Sequence, residues 1–324
     1  MATIAIDTLG GLKAPEAPIA AAGAVSRQKD GTVVILVGDP ASIQNQLSRV
    51  SYNPERIRIH PAGGPTPEHS VRAAAKLVAD NKADALVTAG DPPLALRACF
   101  ETFNLLKGVH RAPLAAVYPT LPRPGNRDRL ALILDVGTTF RPTAEDLAVW
   151  ARMGAAYAGC ISQVDAPTVG LLSVGRGPLH GTREIIDAHR ILSAETSVRF
   201  VGNVESADIP RGAADVIVCD GFTGQVVVGL LGAVGDSVKQ VARGAWEQSA
   251  TWRMGLRLLE GAVVKFSELL DHEHYGGAPL LGFDRTAILA LPNAGEEALT
   301  NAIRLAAKAA RRDVLTAIRK SVGA

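Results

Sequence analysis

Short β-branched runs alternate with alanine-rich stretches of helical period along nearly the whole chain. Few architectures accept that alternation, and the one it predicts is α/β, a mainly parallel sheet covered by helices. Strand runs fall at residues 3–6, 33–37, 57–59, 85–88, 114–117, 130–134, 169–174, 200–201, 216–219 and 286–290, and nearly all stop at Gly, Asp, Asn or Thr. Their ends read Asp7-Thr8-Leu9-Gly10-Gly11, Gly38-Asp39-Pro40, Ala89-Gly90-Asp91-Pro92 and Asp135-Val136-Gly137-Thr138-Thr139, then Gly175-Arg176-Gly177, Gly202-Asn203-Val204-Glu205 and Asp220-Gly221-Phe222-Thr223-Gly224. In an open α/β sheet such ends share one edge, where ligands bind.

Helical periods are expected at residues 68–80, 144–157, 182–192, 225–243 and 296–321. The last carries Leu299, Ile303, Leu315 and Ile318 on one stripe. Its cations Arg304, Lys308, Arg311, Arg312, Arg319 and Lys320 fit a solvated face, with docking of an acidic partner as the alternative. No fixed-period repeat or clear linker divides the chain, so residues 1–324 read as a single domain, with a surface loop from Pro119 to Gly125.

Several function classes drop out on composition and motif. A formal charge of +2 and 4% aromatic residues provide neither the field nor the stacking surface for nucleic acid. Cys99, Cys160 and Cys219 are odd in number, far apart and set in apolar segments, which points to reduced core thiols. The chain begins without an export-like leader and contains no bilayer-spanning run, so a cytoplasmic protein is expected, with contact to a membrane surface left open. Gly175-Arg176-Gly177-Pro178-Leu179-His180-Gly181 has the wrong glycine spacing for a dinucleotide turn, and no Walker lysine motif is present. His272-Glu273-His274 has no third ligand motif nearby, so no metal and no cofactor are expected. A Gly-x-Ser-x-Gly elbow is also absent.

The run from Asp215 to Gln225 is the most specific segment. An apolar strand stops at Asp220-Gly221-Phe222-Thr223-Gly224 and a helix-like stretch follows. One reading makes this an anion site, with backbone N–H groups over Thr223–Gln225 aimed at phosphate. The other has Gly221 and Gly224 permit a tight turn while Asp220 or Thr223 caps the helix.

Gly202-Asn203-Val204-Glu205, Asp208-Ile209-Pro210 and Asp215 through Gly224, in that order, resemble the bacterial acyl-ACP:phosphate acyltransferase (PlsX) family. Supporting matches are Asp7-Thr8-Leu9-Gly10-Gly11, residues 83–90, Leu134-Asp135-Val136-Gly137, Met153-Gly154 with Tyr157-Ala158, and residues 275–282. The resemblance covers essentially the whole chain. It implies an isocitrate-dehydrogenase-like or phosphotransacetylase-like fold, a homodimer, and transfer of a fatty acyl group from acyl carrier protein, or another thioester, to inorganic phosphate for lipid synthesis. It also implies a helical dimerisation hairpin at about residues 236–272.

On the matched positions, Asp220, Glu205 and Asn203 become the catalytic candidates. The phosphate- and substrate-binding candidates are Asp7, Gly10, Gly11, Gly90, Asp91, Asp135, Gly137, Thr138, Thr139, Arg141, Arg176, His180, Gly221, Thr223, Gly224 and Gln225. The chain departs from the family pattern at polar positions, with Leu12, Ser70, Asp91, Thr139, Arg141, Ser173, Arg176, Gly177, His180 and Leu291-Pro292 standing where the family has other groups. Arg141, Arg176 and Arg285, if they face one cleft, would retune it toward a more anionic ligand, such as a different acyl phosphate, coenzyme A or another phosphorylated metabolite. Pairing with local acids is the other reading. A second functional reading follows from the same departures: a catalytically altered homologue that binds acyl carrier protein or an acyl phosphate and regulates lipid or polyketide metabolism.

Trp252, Leu256, Leu259, Val263, Phe266 and Leu270 recur at helical intervals, interrupted by Gly255 and Gly261. Such a stripe wants an apolar partner, and dimer packing fits it better than stable membrane attachment.

Overall fold

The computed structural model describes residues 2–121, 130–248, 254 and 276–323. The stripe from Trp252 to Leu270, His272-Glu273-His274 and the expected hairpin beyond residue 248 lie outside the described residues, Met254 excepted. So does the loop from Pro119 to Gly125 after Leu121.

The chain is α/β, as the alternation requires, with its strands in two sheets. The first half supplies β1 (Thr3–Asp7), α1 (Glu16–Ser26), β2 (Val33–Gly38), α2 (Pro40–Leu47), β3 (Ile57–Pro61), α3 (Pro67–Ala79), β4 (Ala85–Thr88), α4 (Pro92–Thr102), β5 (Ala115–Pro119) and β6 (Leu130–Leu134). The second half supplies α5 (Ala144–Ile161), β7 (Thr168–Leu172), α6 (Arg183–Ala194), β8 (Arg199–Val204), β9 (Val216–Val218), α7 (Gly221–Gln248), β10 (Ala278–Leu280), β11 (Thr286–Leu289), α8 (Glu296–Arg311) and α9 (Val314–Val322). The first sheet runs β10-β11-β4-β1-β2-β3 and the second β5-β6-β9-β7-β8. Every pairing is parallel except β10 with β11 and β5 with β6.

Those two antiparallel edge strands join the sheets. Leu114 bridges Leu280, Leu281 N–H donates to the Pro113 carbonyl at 3.0 Å, and Leu106 N–H donates to the Gly282 carbonyl at 2.9 Å. Pro279 sits in β10 without harm, because an edge strand tolerates a missing donor.

The inner parallel strands are apolar on both faces because helices cover both, with β2 buried along its whole length, whereas β3 and β8 at the sheet edges are only partly buried. In the second sheet α5 lies across β6 and β9. A Cβ built on Gly154 would be 2.6 Å from both Leu134 and Val216 side-chain atoms, so the glycine lets helix and sheet close. Thr143 and Asp146 start α5 as a capping box, with Thr143 N–H to Asp146 Oδ2 at 2.9 Å and Asp146 N–H to Thr143 Oγ1 at 3.2 Å. Trp150 on this helix is fully buried, and its indole N–H reaches the Arg111 carbonyl at 3.1 Å. Truncating such a side chain typically costs about 3–5 kcal/mol.

The helix expected over 296–321 breaks in two. Asp313 is left-handed (φ 48°, ψ 47°), while the Arg312 guanidinium turns back to the Cys160 carbonyl at 2.6 Å, near the end of α5. The free thiols are Cys99 and Cys219, both buried, and the half-buried Cys160. Burial pushes the Cys99 thiol up to about 12.

Candidate functional site

Two polar cradles form where parallel strands end. The first belongs to β1 and β4. Asp7, almost wholly buried, accepts Leu9 N–H and Gly10 N–H on Oδ1 at 3.0 and 3.1 Å, and the Thr88 hydroxyl on Oδ2 at 2.9 Å. Thr88 Oγ1 in turn accepts Gly90 N–H at 2.9 Å. Asp7 therefore binds two strand ends into one unit. Burial raises its carboxyl above the usual range, against the opposing pull of these hydrogen bonds. Gly10 has to be glycine, since a Cβ there would overlap Asp7 Oδ2 and lie 2.7 Å from the Gly90 Cα. Gly11 adopts φ 98°, and Leu12 N–H closes the loop on the Pro292 carbonyl at 2.7 Å.

The second cradle belongs to β6 and β9. Asp135, fully buried, accepts Leu114 N–H on Oδ1 at 2.9 Å, and on Oδ2 the Thr138 N–H at 3.0 Å, the Thr138 hydroxyl at 2.7 Å and Thr139 N–H at 2.6 Å. Burial again dominates and raises its carboxyl. The Thr138 hydroxyl shares its one proton between Asp135 Oδ2 and the Ala112 carbonyl, 2.8 Å away. Gly221 and Gly224 press α7 onto this loop. A Cβ on Gly221 would lie 2.8 Å from Asp135 Oδ2, and one on Gly224 would overlap the Asp135 carbonyl oxygen.

At the start of α7 the capping reading describes the geometry. Asp220 accepts Thr223 N–H on Oδ1 at 2.9 Å and the Thr223 hydroxyl on Oδ2 at 2.6 Å, while Gly224 N–H donates to the Asp220 carbonyl at 2.9 Å. Gln225 N–H falls within the regular helix. The donors over Thr223–Gln225 are thus spent inside the protein, which corrects the expectation that they cradle phosphate. Gly221 N–H is taken by the Thr139 carbonyl at 2.8 Å, leaving Phe222 N–H as the first-turn donor without an acceptor among the described residues.

Asn203 is buried and uses its whole amide. Its Nδ2 donates to the Gly177 carbonyl at 2.9 Å and the His180 carbonyl at 3.2 Å, and its Oδ1 meets His189 Nδ1 at 2.9 Å. Ser173 Oγ adds a bond to the His180 carbonyl at 2.8 Å. These contacts hold the Gly175–Gly181 loop. The His180 ring packs over Gly175 and Gly177, where a Cβ would lie 2.9 and 2.6 Å away. Glu205 begins the short 3-10 turn Ser206–Asp208, its N–H donating to Asp208 Oδ2 at 3.1 Å.

The three arginines do not act together. Arg176 points to Asp208 at 2.7 Å, with Arg211 3.7 Å away on the same oxygen. Burial tends to raise the Asp208 carboxyl, but the Glu205 N–H and the two arginines outweigh it and hold it low. Arg285 donates to the Val78 and Ala79 carbonyls, both at 3.1 Å, and so closes the end of α3. Arg141 alone of the three is exposed and without an ion pair among the described residues. Local pairing therefore describes Arg176 and Arg285, which corrects the idea of a shared cationic cleft.

Asp91 makes no side-chain cap at α4, and Pro92 and Pro93 remove the first two N–H groups of that helix. Leu12 is 81% exposed and Leu291 is 56% exposed beside the Asp7 cradle. Thr88, Ser173, His189 and Asp208 were not among the sequence candidates. A threonine closing an apolar run was a usable signal for Thr88, whereas His189 lies on a helix face with nothing to link it to Asn203. No group of three or more potential metal ligands exists among the described residues.

Comparison with known proteins identifies the family and the fold. A family model described as fatty acid synthesis protein matches residues 2–317. The phosphate acyltransferase of a Cyanothece species is 34% identical over 333 residues, covering 99% of this chain and 95% of that protein. That of Brevibacillus brevis is 32% identical over 332 residues, covering 98% and 97%. Among solved structures, a phosphotransacetylase from Streptococcus pyogenes has a TM-score of 0.63 at 14% identity over 96% of this chain and 94% of its own. The EutD phosphotransacetylase from Staphylococcus aureus has a TM-score of 0.60 at 16% identity over 95% and 94%. These two likenesses establish the fold.

Proposed function

The chain belongs to the fatty acid synthesis protein family, and we propose on that footing that it is a phosphate acyltransferase, moving a fatty acyl group from acyl-ACP or another thioester onto inorganic phosphate. An oxygen of hydrogen phosphate adds to the thioester carbonyl carbon, and the tetrahedral adduct expels the thiolate. The proton released from phosphate ends on sulfur, so the products are an acyl phosphate for lipid synthesis and a free thiol. Phosphate is already an anionic nucleophile, so the protein's work is to position it and to stabilise the oxyanion rather than to supply a strong base.

The observation that carries this reading is the locking of the α7 start onto the Asp135 loop through Gly221 and Gly224. It gives a rigid strand end built from backbone, with the Phe222 N–H free to donate. In this reading Asp7 and Asp135 position loops, Asp220 fixes the first turn of α7, and Asn203 and Glu205 order the segments around His180. Substrate contacts come from the backbone N–H groups of Gly11, Gly137 and Phe222, since those of Gly10, Gly90, Thr138 and Thr139 are committed to Asp7, Thr88 and Asp135.

The same reading takes the protein as a cytoplasmic homodimer with at most weak peripheral membrane contact. Val226, Leu230, Val234 and Val238 form an exposed apolar row on α7 at four-residue spacing, which a second copy would cover. Among the described residues no helix is long and apolar enough to cross a membrane.

Acyl-ACP consumption with phosphate, and the reverse reaction from acyl phosphate, test the activity. Turnover in both directions is the expected result. A folded protein that turns over in neither direction overturns it. Exposed Leu12 and Leu291 and the donor-poor start of α4 favour one second reading, a non-catalytic homologue that binds acyl carrier protein or an acyl phosphate; clean binding without turnover would support that instead.

A further inference from the structure

The segment that braces the Asp135 cradle from outside carries an exposed cationic and aromatic surface. Lys107, His110 and Arg111 stand exposed between α4 and β5. The same segment is fastened to the cradle through the Ala112 carbonyl, which accepts the Thr138 hydroxyl, and the Leu114 N–H, which donates to Asp135. From the cradle side, Thr139 leads directly into Phe140, 65% exposed, and Arg141, also exposed. The two segments meet at Asp146, which lies 3.4 Å from Arg111 Nε and accepts Thr143 N–H, two residues beyond Arg141.

Asp146 is buried under this surface, and Glu145 is the exposed acid beside it. Lys107 and Arg141 have no acidic partner among the described residues. Phe140 left in water, with unpaired Arg141 next to it in the chain and unpaired Lys107 on the segment that two hydrogen bonds tie to the Asp135 cradle, has the makeup of a recognition site for an acidic partner.

We propose that Phe140 and the cations Lys107 and Arg141 dock the acidic carrier protein that bears the acyl thioester. This rests on the acyl-transfer reading above for the identity of the occupant. A small thioester needs only the cradle. A carrier protein needs a surface beside it that attracts acidic side chains and buries one apolar contact; Phe140 and Arg141 lie two and three residues from Thr138, and Lys107 stands on the segment that Ala112 and Leu114 fasten to the cradle.

The test measures binding of acyl carrier protein by calorimetry, and turnover with acyl-ACP and with acyl-pantetheine in parallel. Lys107→Glu and Phe140→Ser are each expected to weaken carrier-protein binding by about tenfold or more. They should raise KM for acyl-ACP with kcat retained, and change acyl-pantetheine kinetics by less than about twofold. Lys107→Arg should keep wild-type affinity, and added salt should weaken wild-type binding more than Lys107→Glu binding. Unchanged carrier-protein affinity in both variants overturns the proposal. So do equal losses with both donors, or a loss confined to coenzyme A thioesters or anionic vesicles. A wild type that binds carrier protein through these residues but turns over neither donor upholds the docking surface and sinks acyl transfer. Turnover of both donors with no effect of the variants does the reverse.

Discussion

The carbonyl oxygen of Asp135 occupies the place where a side chain on residue 224 would begin, so that Gly224 and Asp135 lie in backbone contact between two loops. Gly224→Ala therefore cannot be absorbed by rotating a flexible side chain. It has to push α7 away from the end of β6. A cost at or above the upper end of the usual 1–3 kcal/mol for overpacking is expected in urea unfolding, together with a fall in kcat/KM. Gly229 on the same helix has nothing within 4 Å of a built Cβ. Gly229→Ala should stabilise by roughly 0.5–1 kcal/mol through helix propensity alone. Similar costs for the two substitutions would show that the Asp135 contact does not hold α7 in place.

Asp7 predicts a pH dependence. Its folded-state carboxyl is raised above its ordinary value of 3.8, chiefly by burial, so the folded protein holds a proton that the unfolded chain has released. Between 3.8 and the folded value the native state binds more protons, and stability from this group falls as pH rises. Above the folded value the penalty is complete. Asp7→Asn can keep the Leu9 and Gly10 bonds on its oxygen and turn its amide toward Thr88, so the variant should fold. Urea midpoints followed from pH 3.5 upward should fall less steeply in Asp7→Asn than in wild type within that window. Parallel curves would mean that Asp7 does not bind the extra proton.

The inner parallel strands were legible in the sequence because they are short apolar runs buried on both faces, and because polar turn residues mark their ends; their division into two sheets was not. Asp135 and Asp7 could be located for the same reason. Their work could not be read, since it depends on Leu114 and Thr88, which the fold alone brings to them. Asn203 stood inside a matched motif, yet its partners His189 and Gly177 lie 14 and 26 residues away and on other elements. Arg285 closes a helix more than 200 residues earlier, which no local pattern encodes. β10 escaped the periodicity because Ala278–Leu280 is three residues long and centred on proline, and the break between α8 and α9 depends on one left-handed aspartate.

Arg176 tests whether charge near a strand end is charge at the site. The side chain is mostly exposed and its guanidinium is committed to Asp208. Arg176→Ala should leave phosphate affinity within about twofold of wild type. Because Asp208 is buried while the guanidinium is mostly in solvent, the stability loss should lie at or above the upper end of the roughly 0–1 kcal/mol of a fully exposed pair. The Asp208 carboxyl, held low in part by Arg176, should titrate at higher pH in the variant. Its stabilising effect is present above its unfolded value and is lost as pH falls through the folded one. In the variant that loss should be smaller and should be complete at higher pH. Phosphate titration and carboxyl NMR read the two effects separately. A large drop in phosphate affinity would return Arg176 to the binding site.

Asn203 gives the sharpest separation between holding a loop and doing chemistry. Its amide is the shared partner of the Gly177 and His180 carbonyls and of His189. Asn203→Ala removes one of the two donors to each of the Gly177 and His180 carbonyls, which His180 N–H and Ser173 Oγ still reach, and takes away the partner of His189 Nδ1, a cost of about 0.5–1.5 kcal/mol per bond lost. The damage should be local. Amide hydrogen exchange is expected to speed up over Gly175–Gly181, while β6, β9 and the first turn of α7, which are braced by Asp135 rather than Asn203, keep their protection. Asn203→Asp is the informative companion. It retains one acceptor for His189 but presents oxygen instead of N–H to both carbonyls, so it should loosen the loop at least as much as alanine does. If either variant abolished turnover while the loop exchanged at the wild-type rate, Asn203 would have to touch the reacting groups, and its place as a positioning residue would be lost.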